Sequence, residues 1–341
     1  MKKKERKIEV TGVPFCSDPS SRDGFHAPDL FLKLQNEEWA RKFLQQKYQD
    51  ASFGEPGVLA YKNVQSFAAY IRQACSLFQT ARACDKWMQP LLLYYGMMDF
   101  FKAWILTKDP DYPKNTAVLR HGLSTRKRKR EPFRFSQDEI RIQKEGLFPY
   151  LAEMMNLPVS AGDSYRMKEL LGFLPELQPT YWTIFGECTW FPVDWMPSSS
   201  LMVIPEKILD QCHLATSSFV EKLNAQSREI QFSLHHQEEG ALYLNCSASG
   251  PPHRLHPWIE RNKKGDHYLY IGNHRPGPLP RVISLMMLCF SMSMLCRYDP
   301  PLWEEIMLAS VHQEQLMLIH LTDLILYGFP GFMAPFWDWP D

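Results

Sequence analysis

No apolar run in this chain approaches the ~20 residues that a membrane-spanning helix needs. Two runs that invite the comparison, Trp87–Met98 and Val282–Cys296, hold 12 and 15 residues, and both read as buried core helices. Also missing are a Walker A sequence, a GxGxxG after a strand, a GxSxG and an HExxH. Their absence argues against the common nucleotide hydrolases, dehydrogenases and hydrolases and leaves room for an unfamiliar enzyme. The eight cysteines, at 16, 75, 84, 188, 212, 246, 289 and 296, contain no CxxC pair, and no histidine cluster completes a zinc set. The first residues, MKKKERKIEV, lead into no apolar stretch of the kind a secretory signal carries. These absences predict a cytoplasmic protein with free thiols, no bound metal, no cofactor and no membrane contact. There is also no internal repeat.

Net charge is absent too, with 38 cations against 38 acids, so the chain as a whole is no general polyanion binder. The charge is uneven, however. Residues 120–134 carry seven cations against Glu131, a net of +6, and the remainder therefore sums to −6. Apolar residues make up 45% of the 341, enough to bury a sizeable core and to exclude large-scale disorder.

The stretch Lys86–Arg130 organises the rest. Trp87–Met98 has no charge at all, and Pro90 near its start suits the first turn of a helix beginning near Gln89. A helix apolar on all sides belongs in the middle of a bundle. DPDYP (Asp109–Pro113) stops it, and Leu119-Arg120-His121-Gly122 leads to five consecutive cations, Arg126 to Arg130.

Residues 1–34 read as a polar, irregular arm with a short strand at Ile8–Val10. Asn36 is placed to cap a helix carrying Trp39, Phe43 and Leu44, and a longer helix is predicted over Tyr61–Ala83. Phe133-Arg134-Phe135 and Glu139-Ile140-Arg141-Ile142-Gln143 alternate, which predicts a hairpin around Ser136–Asp138. Ser136 and Glu139 compete as a capping box. Helical segments are expected at Leu147–Met155, Tyr165–Leu174, Pro205–His213 and Ser217–Ala225, with a loop over Pro192–Ser200. Glu229–Leu234, Ala241–Leu244 and His267–Ile271 alternate as an antiparallel meander. Helices return over 281–297, 302–308 and 311–327, followed by an aromatic, loop-like tail.

The RKRKR run is the sharpest feature. Five adjacent cations grip phosphates well, and they are equally at home on a solvated loop paired with the chain's own carboxylates. No RNP-type motif lies nearby, so any nucleic-acid contact is expected to be weakly sequence-selective. Arg120, His121, Arg126, Lys127, Arg128, Lys129, Arg130 and Arg134 form the candidate phosphate- or polyanion-binding set. His121 can also act as acid/base near neutral pH, or simply fill a polar niche. Asp99 and Lys102, three apart on an apolar helix, either pair with each other or face a pocket. Arg228 and His235 fit the Arg/His spacing of HEPN-type ribonucleases, although the residues between them alternate as in a strand. His253, His256 and His267 are expected near one loop, without metal-ligand spacing.

Pro90–Arg130 (PLLLYYGMMDFFKAWILTKDPDYPKNTAVLRHGLSTRKRKR), the following FRFSQDEIRIQKEGLFPYL and the late LPRVISLMMLCFSMSMLCRYDPPLWEEIM resemble the YaaC-like family of Firmicute bacteria. The resemblance covers most of the chain, least the first 30 residues and the last dozen. It implies a cytoplasmic bacterial protein. Some members are encoded near guanine-nucleotide synthesis genes, which implies a link to purine metabolism. It carries over no catalytic residue.

The expected fold is α+β: a mostly α-helical bundle with a small antiparallel β-sheet inserted in the C-terminal half. Residues 1–34 form the arm and 35–341 one compact, mainly helical domain with its meander at about 228–272. The C-terminal helices should pack on the 61–106 helix pair. The primary functional expectation is a non-catalytic binding or regulatory protein that contacts a nucleotide, a nucleic acid or an acidic partner protein through residues 120–134. The alternative is a HEPN-like or unfamiliar ribonuclease using His121 or His235. A third reading has the tail Phe329–Trp339 docking on another chain, against its folding back on its own core.

Overall fold

The computed structural model describes residues 29–126, 133–238, 240–248, 250–262, 264–274, 277–308 and 314–337. The strand expected at Ile8–Val10 lies outside them. Residues 29–34 are not irregular: Asp29–Lys33 is a short helix (α1) that buries Phe31.

Asn36 caps α2 (Glu37–Asp50) as expected, its Oδ1 accepting from the amides of Glu38 at 2.9 Å and Trp39 at 3.3 Å. The long helix α3 (Pro56–Ala83) starts five residues earlier than its apolar pattern predicts, because Pro56 opens the first turn. Helix α4 (Gln89–Lys108) begins where Pro90 placed it and is buried nearly all round. It crosses close to α3 at Gly96, where an added Cβ would stand 2.8 Å from Phe78 Cδ2.

Beyond α4 the chain builds a three-stranded antiparallel sheet from β1 (Leu123–Arg126), β2 (Glu139–Ile142) and, after α5 (Leu147–Met154), β3 (Ser164–Arg166), in that order. The predicted hairpin around Ser136–Asp138 does not form. Phe135–Gln137 is a 3-10 turn, and β2 pairs with β1 and β3 instead. Nor does Ser136 cap a helix; its hydroxyl and amide bind the Glu314 carboxylate. The expected helix from Tyr165 begins two residues later as α6 (Met167–Gly172), since Tyr165 belongs to β3.

After α7 (Gln178–Phe185) comes a six-stranded antiparallel sheet, larger and earlier than the predicted meander. Its members are β4 (Trp190–Met196), β5 (Leu201–Pro205), then, after α8 (Lys207–Cys212) and α9 (Thr216–Asn224), β6 (Phe232–Glu238) and β7 (Ala241–Cys246). The short α10 (Pro252–Leu255) precedes β8 (Ile259–Arg261) and β9 (His267–Tyr270). The order is β6-β7-β5-β4-β9-β8. The loop expected over Pro192–Ser200 is thus mostly strand β4. Strand β5 pairs with it only from Asp194 onward, so Pro192 has no strand neighbour on that side to which an amide would be owed.

Helices α11 (Arg281–Tyr298), α12 (Pro300–Leu308) and α13 (Glu314–Met333) close the fold, with α11 and α13 packing on α4. Helix α11 and the segment Glu314–Trp337 are long and apolar enough to cross a membrane by length and composition, yet 83% and 56% of their apolar windows are covered by protein. The tail is not a loop. Helix α13 continues through Pro330, and Ala334–Trp337 turns back in a 3-10 helix that buries Trp337. Trp337 packs against Phe31, Phe43 and Phe67, while Trp104 Nε1 donates to the Phe336 carbonyl at 2.9 Å. Within the described residues the aromatic tail therefore folds on its own core; Asp338 and Trp339 lie outside them.

Candidate functional site

The three-stranded sheet converts an unremarkable set of residues into a polarised surface. Side chains alternate across a strand, and directly paired residues share a face. Leu123 pairs with Ile142, Thr125 with Ile140, and Ile140 in turn with Tyr165; of these, Leu123, Ile140, Ile142 and Tyr165 are buried. The other face takes the remaining register positions. Ser124, Arg141 and Ser164 form one row, and Arg126, Glu139 and Arg166 the next. Arg141 and Arg166 are exposed. Arg141 and Arg166 thus share one small face with a single carboxylate, Glu139, whose Oε1 lies 3.9 Å from Arg166 Nε. Lys168 does not add to it, being held by Glu187 at 2.8 Å.

The basic run begins at Arg126, the last residue of β1, whose backbone pairs with Glu139. Lys127, Arg128, Lys129 and Arg130 lie outside the described residues. Arg134 is exposed between the buried Phe133 and Phe135, just before the 3-10 turn that leads to Glu139, the partner of Arg126. Arg126 and Arg134 therefore belong to the same end of the sheet.

Arg120 and His121 belong to the other end. Strand β1 spans about 10 Å from Leu123 to Arg126 at ~3.3 Å per residue, and it separates them from the basic face. The backbone there is stitched to the start of α5: Leu147 N donates to Arg120 O at 2.7 Å and Phe148 N to His121 O at 3.1 Å. Gly122 (φ +75°) and Gly146 (φ +136°) make this approach possible. A Cβ on Gly146 would fall 2.4 Å from the Gly122 Cα, and one on Gly122 would fall 2.3 Å from Pro149 Cδ. Arg120 remains exposed, 3.8 Å from Glu145 Oε2.

His121 sits in an aromatic niche, its ring 5.4 Å from Tyr94 and 5.5 Å from Phe290. Burial lowers its pKa, and the charges of Arg297 and Lys102 lower it further. Burial also holds Tyr94 well above the usual phenol range. The Tyr94 hydroxyl consequently keeps its proton and shares a hydrogen bond of 3.0 Å with the neutral His121 at Nδ1. His121 is thus a neutral packed imidazole and not part of the cationic row.

Asp99 and Lys102 form an ion pair of 2.9 Å in which burial raises the Asp99 pKa against the lowering effect of Lys102. Arg228 and His235 do not share a helix. Arg228 precedes β6, and His235 occupies the position where the β6–β7 register slips. Of the three late histidines, His253 and His267 meet, with Nδ1 and Nε2 3.1 Å apart. His256 is separate: its Nδ1 accepts from Trp258 N, so its Nε2 donates to Leu223 O. Among the described residues no group of three or more His, Cys, Asp and Glu side chains could hold a metal ion.

Sequence reasoning missed Arg141 and Arg166. Arg141 sat in a recognised alternating stretch, EIRIQ, but its neighbours in space depend on pairings with LSTR and SYR, segments of only four and three residues with little pattern of their own.

A family model described as YaaC-like protein matches residues 32–336 of the chain. No curated protein and no solved structure matches it.

Proposed function

The chain belongs to the YaaC-like family, and we propose that it is a non-catalytic binding protein that holds the phosphate backbone of a nucleic acid on the outward face of its three-stranded sheet and the adjoining basic run. The observation that carries this reading is the pair of exposed arginines, Arg141 and Arg166, brought to one face of the sheet by register. Arginines with so few acids among them attract a polyanion and release its counterions on contact. The rigid sheet supplies fixed donors, and the run 126–130 adds charge. No base-reading constellation accompanies them, so binding is expected to depend on salt more than on sequence. The protein works, on this reading, in the cytoplasm; seven free cysteines among the described residues are consistent with a reducing compartment. The gene neighbourhood implied by the family resemblance makes guanine nucleotides the natural second probe.

The test is binding of labelled RNA and of guanine nucleotides to the purified chain over a range of salt concentrations. The wild type is compared with an Arg141→Gln/Arg166→Gln variant and with one neutralised at 126–130. Salt-sensitive RNA binding that both variants weaken is the expected result; unchanged binding in both would overturn the proposal. His121→Ala should retain binding. RNA cleavage that His121→Ala or His235→Ala abolishes would replace this reading with the ribonuclease one.

A further inference from the structure

A second cationic constellation lies on the six-stranded sheet, built from β4, β8, β9 and α10 and sharing no residue with the basic face. Register places Arg261, His267 and Val193 in one row across β8, β9 and β4. Trp195, two residues beyond Val193 on β4, points to the same face. The row before it, Ile259, Leu269 and Phe191, is fully apolar and buried. The sheet face therefore changes abruptly from core to cation at its end. Helix α10 adds His253 and Arg254 from above. Between them lies a cavity of about 680 Å³ lined by these four cationic or imidazole side chains, by Asp194 and Asp266, by Trp195 and by small loop residues. That volume falls in the range of small-molecule sites.

The polar groups of this cavity are not fully satisfied by one another. His253 and His267 face each other at 3.1 Å, so a single ring proton lies between Nδ1 and Nε2 and the second nitrogen of each ring is left over. Arg254 is exposed, and Arg261 reaches no nearer partner than the Gly265 carbonyl at 3.4 Å. Two carboxylates, Asp194 and Asp266, line the same cavity, and both pull the His267 pKa back up. The Asp266 Oδ2 accepts from Asn262 at 2.8 Å, and Asp194 reaches the cavity from its rim, one residue before Trp195 on β4. Both histidines are held in the neutral form by burial, aided for His253 by His267, Arg261 and Arg254, and for His267 by Arg261. An imidazole pair between two guanidiniums is stabilised by an anion, which turns repulsion into attraction and lets every leftover donor be used.

We propose that this cavity binds a mononucleotide, with His253, His267, Arg254 and Arg261 around the phosphate and Trp195 against the base. Two arginines and two imidazoles offer more donors than a carboxylate can accept, and a phosphate with three terminal oxygens can use them. The half-buried indole gives a planar heterocycle a stacking surface at the apolar margin of the same cavity.

Calorimetric titration of the full-length chain with AMP and with inorganic phosphate tests the proposal. AMP should bind, and phosphate should bind more weakly at the same place. Arg254→Gln and His267→Gln should each weaken both ligands by about tenfold, the effect of losing one charge-assisted hydrogen bond. Arg254 is exposed, so its replacement leaves the fold intact and keeps the test valid if a histidine variant unfolds. Trp195→Ala should weaken AMP and leave phosphate unchanged. Failure of either ligand to bind, or binding undiminished in Arg254→Gln, would overturn the proposal. So would AMP binding that disappears in the Arg141→Gln/Arg166→Gln variant, because the nucleotide would then occupy the basic face.

Discussion

His253 shows how far a single residue can be driven by its surroundings. Burial first, and then the charges of His267, Arg261 and Arg254, push its pKa down to about 4. His267 is lowered as well, although Asp266 and Asp194 pull it back. In the unfolded chain both rings protonate near the ordinary histidine value of ~6.5. The folded state therefore binds fewer protons across that window, and its stability is full above about pH 6.5 and falls as the pH drops toward about 4. A series of thermal melts should show this decline, with a shallower slope in His253→Gln; an identical slope in the variant would show that His253 does not contribute. The glycines beside His121 make the opposite kind of point, since they are constrained by backbone and not by charge. Gly146→Ala would force a methyl into the Gly122 backbone at a positive φ. It should cost about 1–3 kcal/mol in a urea unfolding experiment. The sequence flagged His121-Gly122 for its chemistry, but nothing in it revealed that Gly146 was the other half of the contact.

At the scale of elements, legibility followed the length and patterning of each segment. Helix α4 could be read to its first residue because a charge-free run with proline in its first turn has few other solutions. Asn36 was legible for a similar reason, since capping is local chemistry. The three-stranded sheet was not. Strand β1 is LSTR, four residues without a clear alternation, and its partner β2 lies across the basic run; the more regular FRF competed for the same partner and lost. Phe133 and Phe135 are both buried, so their pattern reflects anchoring and not strand pairing. Half of the candidate site was consequently visible as composition, and the other half, Arg141 and Arg166, only as register. This element yields a direct prediction. Replacing both exposed arginines by glutamine should leave stability within about 0.5 kcal/mol. The same change should lower the slope of log binding constant against log salt by about 1.4–1.8, at ~0.7–0.9 per phosphate contact. A reduced affinity with an unchanged slope would mean that these side chains do not touch phosphate.

Taken whole, the molecule is tied together from both ends. Arg281, at the first turn of α11, is held by Glu176 at 2.8 Å and by Glu260 on β8, which fastens the six-stranded sheet to the helical core. Composition foretold a helical bundle with an inserted sheet, and the C-terminal helices do pack on α4. What composition hid was the path of the tail. Gly328, Pro330 and Gly331 read as helix breakers, yet α13 runs through them because Phe329 is locked among Phe78, Phe100 and Phe101. Packing outweighs the lost amide of Pro330. Trp337→Ala should accordingly destabilise the whole fold by about 3–5 kcal/mol, read as a lower urea midpoint.

Trp337 also sets a timetable. Its ring closes a gap between Phe31, Phe43 and Phe67, three side chains that leave the ribosome some 270 to 306 residues before it. At ~5–20 residues per second, the helices that will receive Trp337 wait at least ~13 s with an aromatic socket open. Over that interval the growing chain presents a sticky surface that the finished protein does not have. A nascent chain arrested before Ala334 should therefore recruit chaperones that the released protein ignores.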